Sequence, residues 1–193
     1  MRLEDFVEGI SKTQILYWDD PYRRSFTANI LRIELEEKNK VYLILDRTIF
    51  HPKGGGQPSD RGRLFGYDHS IDIKKSMMVK EVIIHYGKLL DPDVKQMSIT
   101  TGEIDWAWRY LLMRRHTAVH LLDHCIATVT DSRVETTDSW LGDKCYVEYS
   151  GKEPNVEILQ EAFKIGNKMI TESSKVFSEN VSFNELVKRA PEA

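Results

Sequence analysis

Phe26-Thr27-Ala28-Asn29-Ile30-Leu31-Arg32-Ile33-Glu34-Leu35-Glu36 and Val41-Tyr42-Leu43-Ile44-Leu45-Asp46 flank the polar tetrapeptide Glu37-Lys38-Asn39-Lys40. Val41, Leu43 and Leu45 repeat with a period of two, and Ala28, Ile30, Ile33 and Leu35 come close to it, as half-buried strands require. The tetrapeptide reads as a hairpin tip. Further short β-rich runs follow at Arg63 to Phe65, Ser70 to Lys74 and Val79 to Tyr86, separated by turn residues. The N-terminal half is therefore predicted to be a small β-barrel or sandwich. Asp91-Pro92-Asp93 interrupts the pattern, and after one more strand, Gln96 to Ile104, the chain becomes helical. The boundary is placed there, giving domains at 1–92 and 93–193.

The 193 residues are enough for one large domain or two small ones at roughly 100–200 residues per domain. A hydrophobic content of 41% with 30% charged residues excludes disordered, collagen-like and membrane classes. The net charge of −3 leaves no overall positive field, so any nucleic-acid contact has to come from a local basic patch. No export signal or membrane-length apolar run is present, no DNA or membrane partner is expected, and two cysteines, Cys125 and Cys145, point to a reducing cytoplasm.

Asp105 to about Thr130 is predicted to be a long helix with Asp105 as N-cap, burying a stripe of Ala107, Leu111, Ala118, Leu122, Cys125 and Val129. Strands are expected at Arg133 to Ser139 and Lys144 to Tyr149. A second amphipathic helix should begin with Pro154 in its first turn, run to about Ser173 and turn Val156, Leu159, Phe163 and Ile170 inward. The fold class is thus α+β: a small barrel-like domain beside an α/β domain whose long helix lies on an antiparallel sheet.

Two segments carry chemistry. His116-Thr117-Ala118-Val119-His120 sets two imidazoles one helical turn apart, a geometry for gripping one metal ion, and zinc suits neutral imidazole. Thr117 stands where a zincin would have its general-base Glu, which disfavours a helical metalloprotease. His124 reads as a surface or supporting histidine, Cys125 as a core residue and Cys145 as a structural residue within a strand. The second segment runs from Phe50-His51-Pro52-Lys53-Gly54-Gly55-Gly56-Gln57 to Pro58-Ser59-Asp60-Arg61-Gly62. Its three glycines either make a flexible turn or bring backbone amides close to a ligand oxygen; no P-loop signature follows them.

Together these segments resemble the alanyl-tRNA synthetase editing domains and the free-standing AlaX-type trans-editing deacylases. The resemblance rests on Asp46-Arg47-Thr48-Ile49-Phe50, Gly54-Gly55-Gly56-Gln57 and Asp60-Arg61-Gly62, followed by Ile104-Asp105-Trp106, Arg109, Met113-Arg114 and His116 to Leu122. It extends to Asp143-Lys144 and covers about residue 26 to the mid-170s. It implies hydrolysis of serine, or of glycine, from mischarged tRNA(Ala), with the acceptor end as partner. It also implies a β-rich domain carrying the glycine motif beside a zinc-holding α/β domain. By the same resemblance, His116 and His120 are zinc ligands. Thr48, Gly55, Gly56 and Gln57 line the aminoacyl pocket, with Thr48 and Gln57 placed at the chemistry.

Thr48 would hydrogen-bond the extra hydroxyl of serine, which alanine lacks. Lys53, Arg61, Arg109, Arg114 and Arg115 are candidate tRNA contacts. The family's Cys-x-x-x-His segment is missing, and Val181 to Ala193 reads as a helix and linker leading onward. The chain is therefore expected to be truncated, with the remaining zinc ligands beyond residue 193. An inactive tRNA-binding or interaction module of the same fold is the alternative. His51 stands where similar proteins carry Tyr, and reads as a surface substitution rather than a third metal-side group.

Overall fold

A short helix, Leu3–Phe6 (α1), and a two-residue strand, Gln14–Ile15 (β1), lead into the long strand Ser25–Glu36 (β2). The computed structural model describes residues 2–67, 69–90, 98–151, 154–176, 179 and 181–189. Lys40–Leu45 (β3), Arg47–Thr48 (β4), Gly62–Phe65 (β5), Ser70–Val79 (β6), Val82–Leu89 (β7) and Ile99–Ile104 (β8) follow. Six of these close into an all-antiparallel barrel in the order β2-β3-β7-β6-β5-β8, while β1 pairs in parallel with β4. The uneven alternation in β2 has a structural cause: the register shifts between Ile30 and Arg32, so the inward parity changes from Ala28 and Ile30 to Ile33. Phe26, Ile30, Leu43, Leu45, Phe50, Leu64, Ile71 and Ile73 fill the interior, each worth on the order of 1.5–3 kcal/mol of apolar burial.

The expected boundary at residue 92 falls inside this barrel, because β8 bonds both β2 and β5 and so completes it. The chain divides instead into two compact units, Met1–His120 with Val134–Lys152, and Leu121–Arg133 with Glu153–Ala193. Asp91-Pro92-Asp93 and the start of the expected strand at Gln96 lie outside the described residues.

Trp106–Thr130 (α2) is capped by Asp105, whose Oδ1 accepts the Trp108 amide at 3.1 Å. The unit boundary falls within α2, and the predicted single stripe fails there. Ala107, Leu111 and Ala118 are exposed, whereas Arg109, Leu112, Cys125 and Ile126 are buried. Thr136–Trp140 (β9) and Tyr146–Tyr149 (β10) form a two-stranded antiparallel hairpin that belongs to the barrel's unit, not to a second α/β domain. Cys145 precedes β10 and is exposed.

Val156–Thr171 (α3) starts two residues after Pro154, which therefore lies outside its first turn, because Asn155 is the N-cap and its side chain accepts the Ile158 amide at 2.8 Å. Val156, Phe163 and Ile170 face solvent, not the interior. Ala162 is the buried position of α3. Phe183–Arg189 (α4) is the last described element. Among the described residues, no helix is long and apolar enough to cross a membrane.

Candidate functional site

The glycine segment forms a tight hairpin rather than a loose loop. Gly54 and Gln57 exchange both backbone hydrogen bonds, at 3.1 and 2.8 Å, and the central Gly55 and Gly56 have φ of +53° and +72°. Two successive left-handed residues suit a turn that glycine enters without steric cost. At Gly56 there is also no room: a Cβ would lie 2.2 Å from Ser139 Oγ, and its carbonyl accepts the Leu141 amide at 2.9 Å. The second and third glycines thus shape the turn, and Gly56 lets it dock on the β9 hairpin. Arg115 fastens the same hairpin to α2 by donating to the Leu141 and Gly142 carbonyls at 2.9 and 2.6 Å.

The turn delivers Gln57, a buried side chain, to the helix. Its Oε1 lies 2.8 Å from His116 Nδ1 and its Nε2 lies 3.4 Å from His51 Nδ1. With Oε1 accepting, His116 carries its proton on Nδ1 and presents the lone pair of Nε2. That Nε2 faces His120 Nε2 at 3.1 Å. Burial first, and then the neighbouring His120 charge, lower the His116 pKa below the ordinary imidazole value. The His51 pKa is lowered too, chiefly by burial, and its ring packs against Tyr17 at 5.1 Å. His51 is therefore part of the network and not a surface substitution, a placement that the Tyr-for-His comparison alone could not reveal.

Two nitrogens about 3 Å apart match two vertices of a tetrahedral ion with ~2.0–2.1 Å bonds to nitrogen, and Gln57 supplies the outer hydrogen bond that fixes the tautomer of a metal-binding histidine. His116 and His120 thus fit as two donors. Among the described residues, no third His, Cys, Asp or Glu joins them in a metal-binding group.

Thr48 lies on β4, beside the barrel strand β7. It is fully buried, its Oγ1 accepts the Phe50 amide at 3.0 Å, and it lies 3.0 Å from His85 Nε2. A cavity of about 510 Å³ opens instead between the glycine turn and β9, lined by Lys53, Gly55, Gly56, Ser139, Trp140 and Tyr146 among others. Gly55 and Gly56 border it; Gln57 and Thr48 do not.

The cationic candidates separate in the same way. Lys53 stands 5.6 Å over the Trp140 ring, Arg114 is exposed and Arg115 is spent on carbonyls. Arg61 binds Asp105 at 2.9 Å and covers Trp108. Arg109 does not present its charge to a tRNA. It is buried, paired with Asp60, and donates to the Ile49 and Pro21 carbonyls. Asp60 also accepts the His51 amide at 2.6 Å. The pair therefore ties α2 to the segment bearing the glycine turn, a structural task that leaves no charge for solvent.

Comparison with known proteins shows the family. Residues 10–108 match the model of the class II (A) tRNA synthetases. The chain is 31% identical over 187 residues to an alanine–tRNA ligase of Ignicoccus hospitalis, which covers 96% of the chain and 20% of the ligase. It is 36% identical over 156 residues to the alanyl-tRNA editing protein AlaX-L of Pyrococcus horikoshii, covering 80% of the chain and 38% of that protein. With the alanine–tRNA ligase of Sulfurisphaera tokodaii, identity is 38% over 121 residues, 61% of the chain and 12% of the ligase. The chain thus spans well under half the length of these relatives. By the match over more than half of its residues, it belongs to the class II (A) tRNA synthetase family, among the editing domains related to alanyl-tRNA synthetase.

Proposed function

We propose that this chain hydrolyses the ester bond of mischarged aminoacyl-tRNA, releasing serine, or glycine, from tRNA(Ala) in trans in the cytoplasm. The observation that carries the reading is the His116–His120 nitrogen pair oriented by Gln57 from the glycine turn. An aminoacyl ester is already activated, so the site has mainly to position the acceptor end and a water and to stabilise the developing oxyanion. Gln57 holds His116 in the tautomer whose Nε2 is available, and the hairpin of Gly54 to Gln57 keeps Gln57 rigid. His116 and His120 would hold zinc, which when bound lowers the pKa of a coordinated water and polarises a carbonyl. The glycine-bordered cavity beside Trp140 is the proposed seat of the acceptor terminus.

Release of serine from Ser-tRNA(Ala), with zinc measured on the same preparation, tests this. His116→Ala should abolish both, and Gln57→Ala should lower activity or zinc affinity by about 10–100-fold, as losing an outer hydrogen bond to a metal-bound histidine does. A zinc-loaded chain that leaves both Ser-tRNA(Ala) and Gly-tRNA(Ala) intact would overturn the hydrolase. The absence of a third donor among the described residues favours one other reading, a tRNA-binding module without chemistry; metal-free protein that still binds tRNA would identify it.

A further inference from the structure

A run of aromatic rings and guanidinium groups lies on the surface of the barrel's unit. Tyr22 and Arg24, from the segment before β2, reach Trp106 at the start of α2. The Tyr22 ring stands 5.8 Å from Trp106 and the Arg24 guanidinium 4.5 Å above it. Trp106 stacks on Tyr110 at 5.7 Å and 23°, and the Arg114 guanidinium stands 6.0 Å from the Tyr110 ring. Positions 106, 110 and 114 are spaced four apart, so they form one stripe along the helix. Tyr22 and Tyr110 are 61% and 43% exposed, and Arg24 and Arg114 are exposed. The nearby carboxylates are engaged: Asp20 accepts the Tyr22 amide and Asp105 binds Arg61. Among the described residues, no carboxylate pairs with Arg24 or Arg114.

Partly exposed rings interleaved with guanidinium groups that no described carboxylate neutralises match the chemistry of unpaired nucleotides, which stack on aromatic or arginine planes while their phosphates meet positive charge. A duplex stacks its internal base faces on one another and offers such a surface only its end pairs. We infer that Tyr22, Arg24, Trp106, Tyr110 and Arg114 form a stacking platform for unpaired nucleotides near the end of an RNA. The choice of RNA rests on the proposed action on aminoacyl-tRNA. The surface lies on the same helix as His116 and His120 but uses a different stripe, so it holds the strand without entering the ester chemistry.

The test is fluorescence anisotropy with a labelled, uncharged RNA hairpin bearing a short single-stranded 3′ tail, compared with the same hairpin made blunt. Tyr110→Ala should weaken binding of the tailed RNA by roughly tenfold or more, since stacking on one aromatic contributes on that order per base. Tyr110→Phe should bind within about twofold of the wild type, because the ring is retained. Arg114→Gln should lower the slope of log affinity against log salt by about 1. Trp106 is left intact because it packs on the barrel core. Unchanged binding in Tyr110→Ala and Arg114→Gln, equal losses for tailed and blunt RNA, or no binding by the wild type would overturn the platform. The probe has no ester, so the two proposals fail separately. Tail binding through Tyr110 without ester cleavage removes only the hydrolase, and cleavage with Tyr110→Ala binding as the wild type removes only the platform.

Discussion

The barrel and the helical unit solve the same problem unequally. The barrel's strands satisfy one another's backbone groups all the way round and enclose a continuous cluster from Leu16 to Ile104. In the unit made of 121–133 and 153–193, the buried apolar positions among the described residues are Cys125, Ile126 and Ala162, while Val156, Phe163 and Ile170 remain in solvent. A closed sheet completes its own core, whereas a helix pair buries only the stripe on which its neighbour lies. The histidine pair sits in the self-sufficient unit, where Gln57 and the glycine turn can be held to fixed geometry. Stability and site precision should therefore depend on the barrel's residues and be nearly indifferent to the exposed face of α3.

The largest effect is expected where charge is buried. Arg109→Ala leaves Asp60 unpaired inside the protein, which costs about 3–5 kcal/mol. Urea unfolding should show this loss, and Asp60→Leu combined with Arg109→Met should cost less than Arg109→Ala alone. A double variant as unstable as the single one would mean that the hydrogen bonds to Ile49 and Pro21, not the charge pair, hold α2 in place. Next comes a direct contrast between the units. Leu43→Ala empties a fully buried barrel position and should cost about 2–5 kcal/mol. Phe163→Ala, on the solvent face of α3, should change stability by no more than about 0.5 kcal/mol. Equal losses would show that the Phe163 face is covered in solution.

The strands of the barrel were legible because Val41, Leu43 and Leu45 alternate cleanly, and so was the long helix, with Asp105 as its cap. One hairpin was not. Val79 to Tyr86 reads as a single strand, yet Lys80 and Glu81 take φ of 49° and 63° and turn the chain between β6 and β7. Neither is Gly, Asn or Asp, so the usual composition signal for that turn is absent. The stripe on α2 failed for a different reason. Periodicity assumes one buried face, but different faces of this helix are buried before and after residue 120. In the site, the spacing of His116 and His120 showed that the two could meet. It could not show that Gln57 orients His116, that His51 joins them or that Arg109 is spent on Asp60, since those contacts span 6 to 59 residues of sequence. His85 carried no signal at all within an apolar run.

That histidine yields the smallest of the expected losses, and a titration isolates it. His85 is wholly buried against Thr48 and Phe50, and its Nδ1 has no hydrogen-bond partner among the described residues. The backbone of Leu43, its cross-strand neighbour, offsets only part of the burial, which pushes the ring's pKa down from 6.5 to about 4. The unfolded chain takes up a proton below about pH 6.5 and the folded barrel does not until about pH 4. Stability from this group is therefore complete above pH 6.5 and is lost as pH falls toward 4, by about 2 kcal/mol at pH 5. His51 and His116 are shifted in the same direction, so the wild-type curve sums several histidines. Asp46 and Asp105 act only at lower pH: burial raises their pKa values, but hydrogen bonds and the partners Arg47 and Arg61 together bring them below 3.8. The difference between wild type and His85→Gln removes those shared contributions. Whatever its stability at pH 7.5, His85→Gln should lose about 2 kcal/mol less than the wild type on transfer to pH 5, measured by urea midpoints. The lost protection should register at the amides of β3 and β7. Parallel curves for the two proteins would mean that His85 is protonated within the fold, and that the wall around Thr48 admits water.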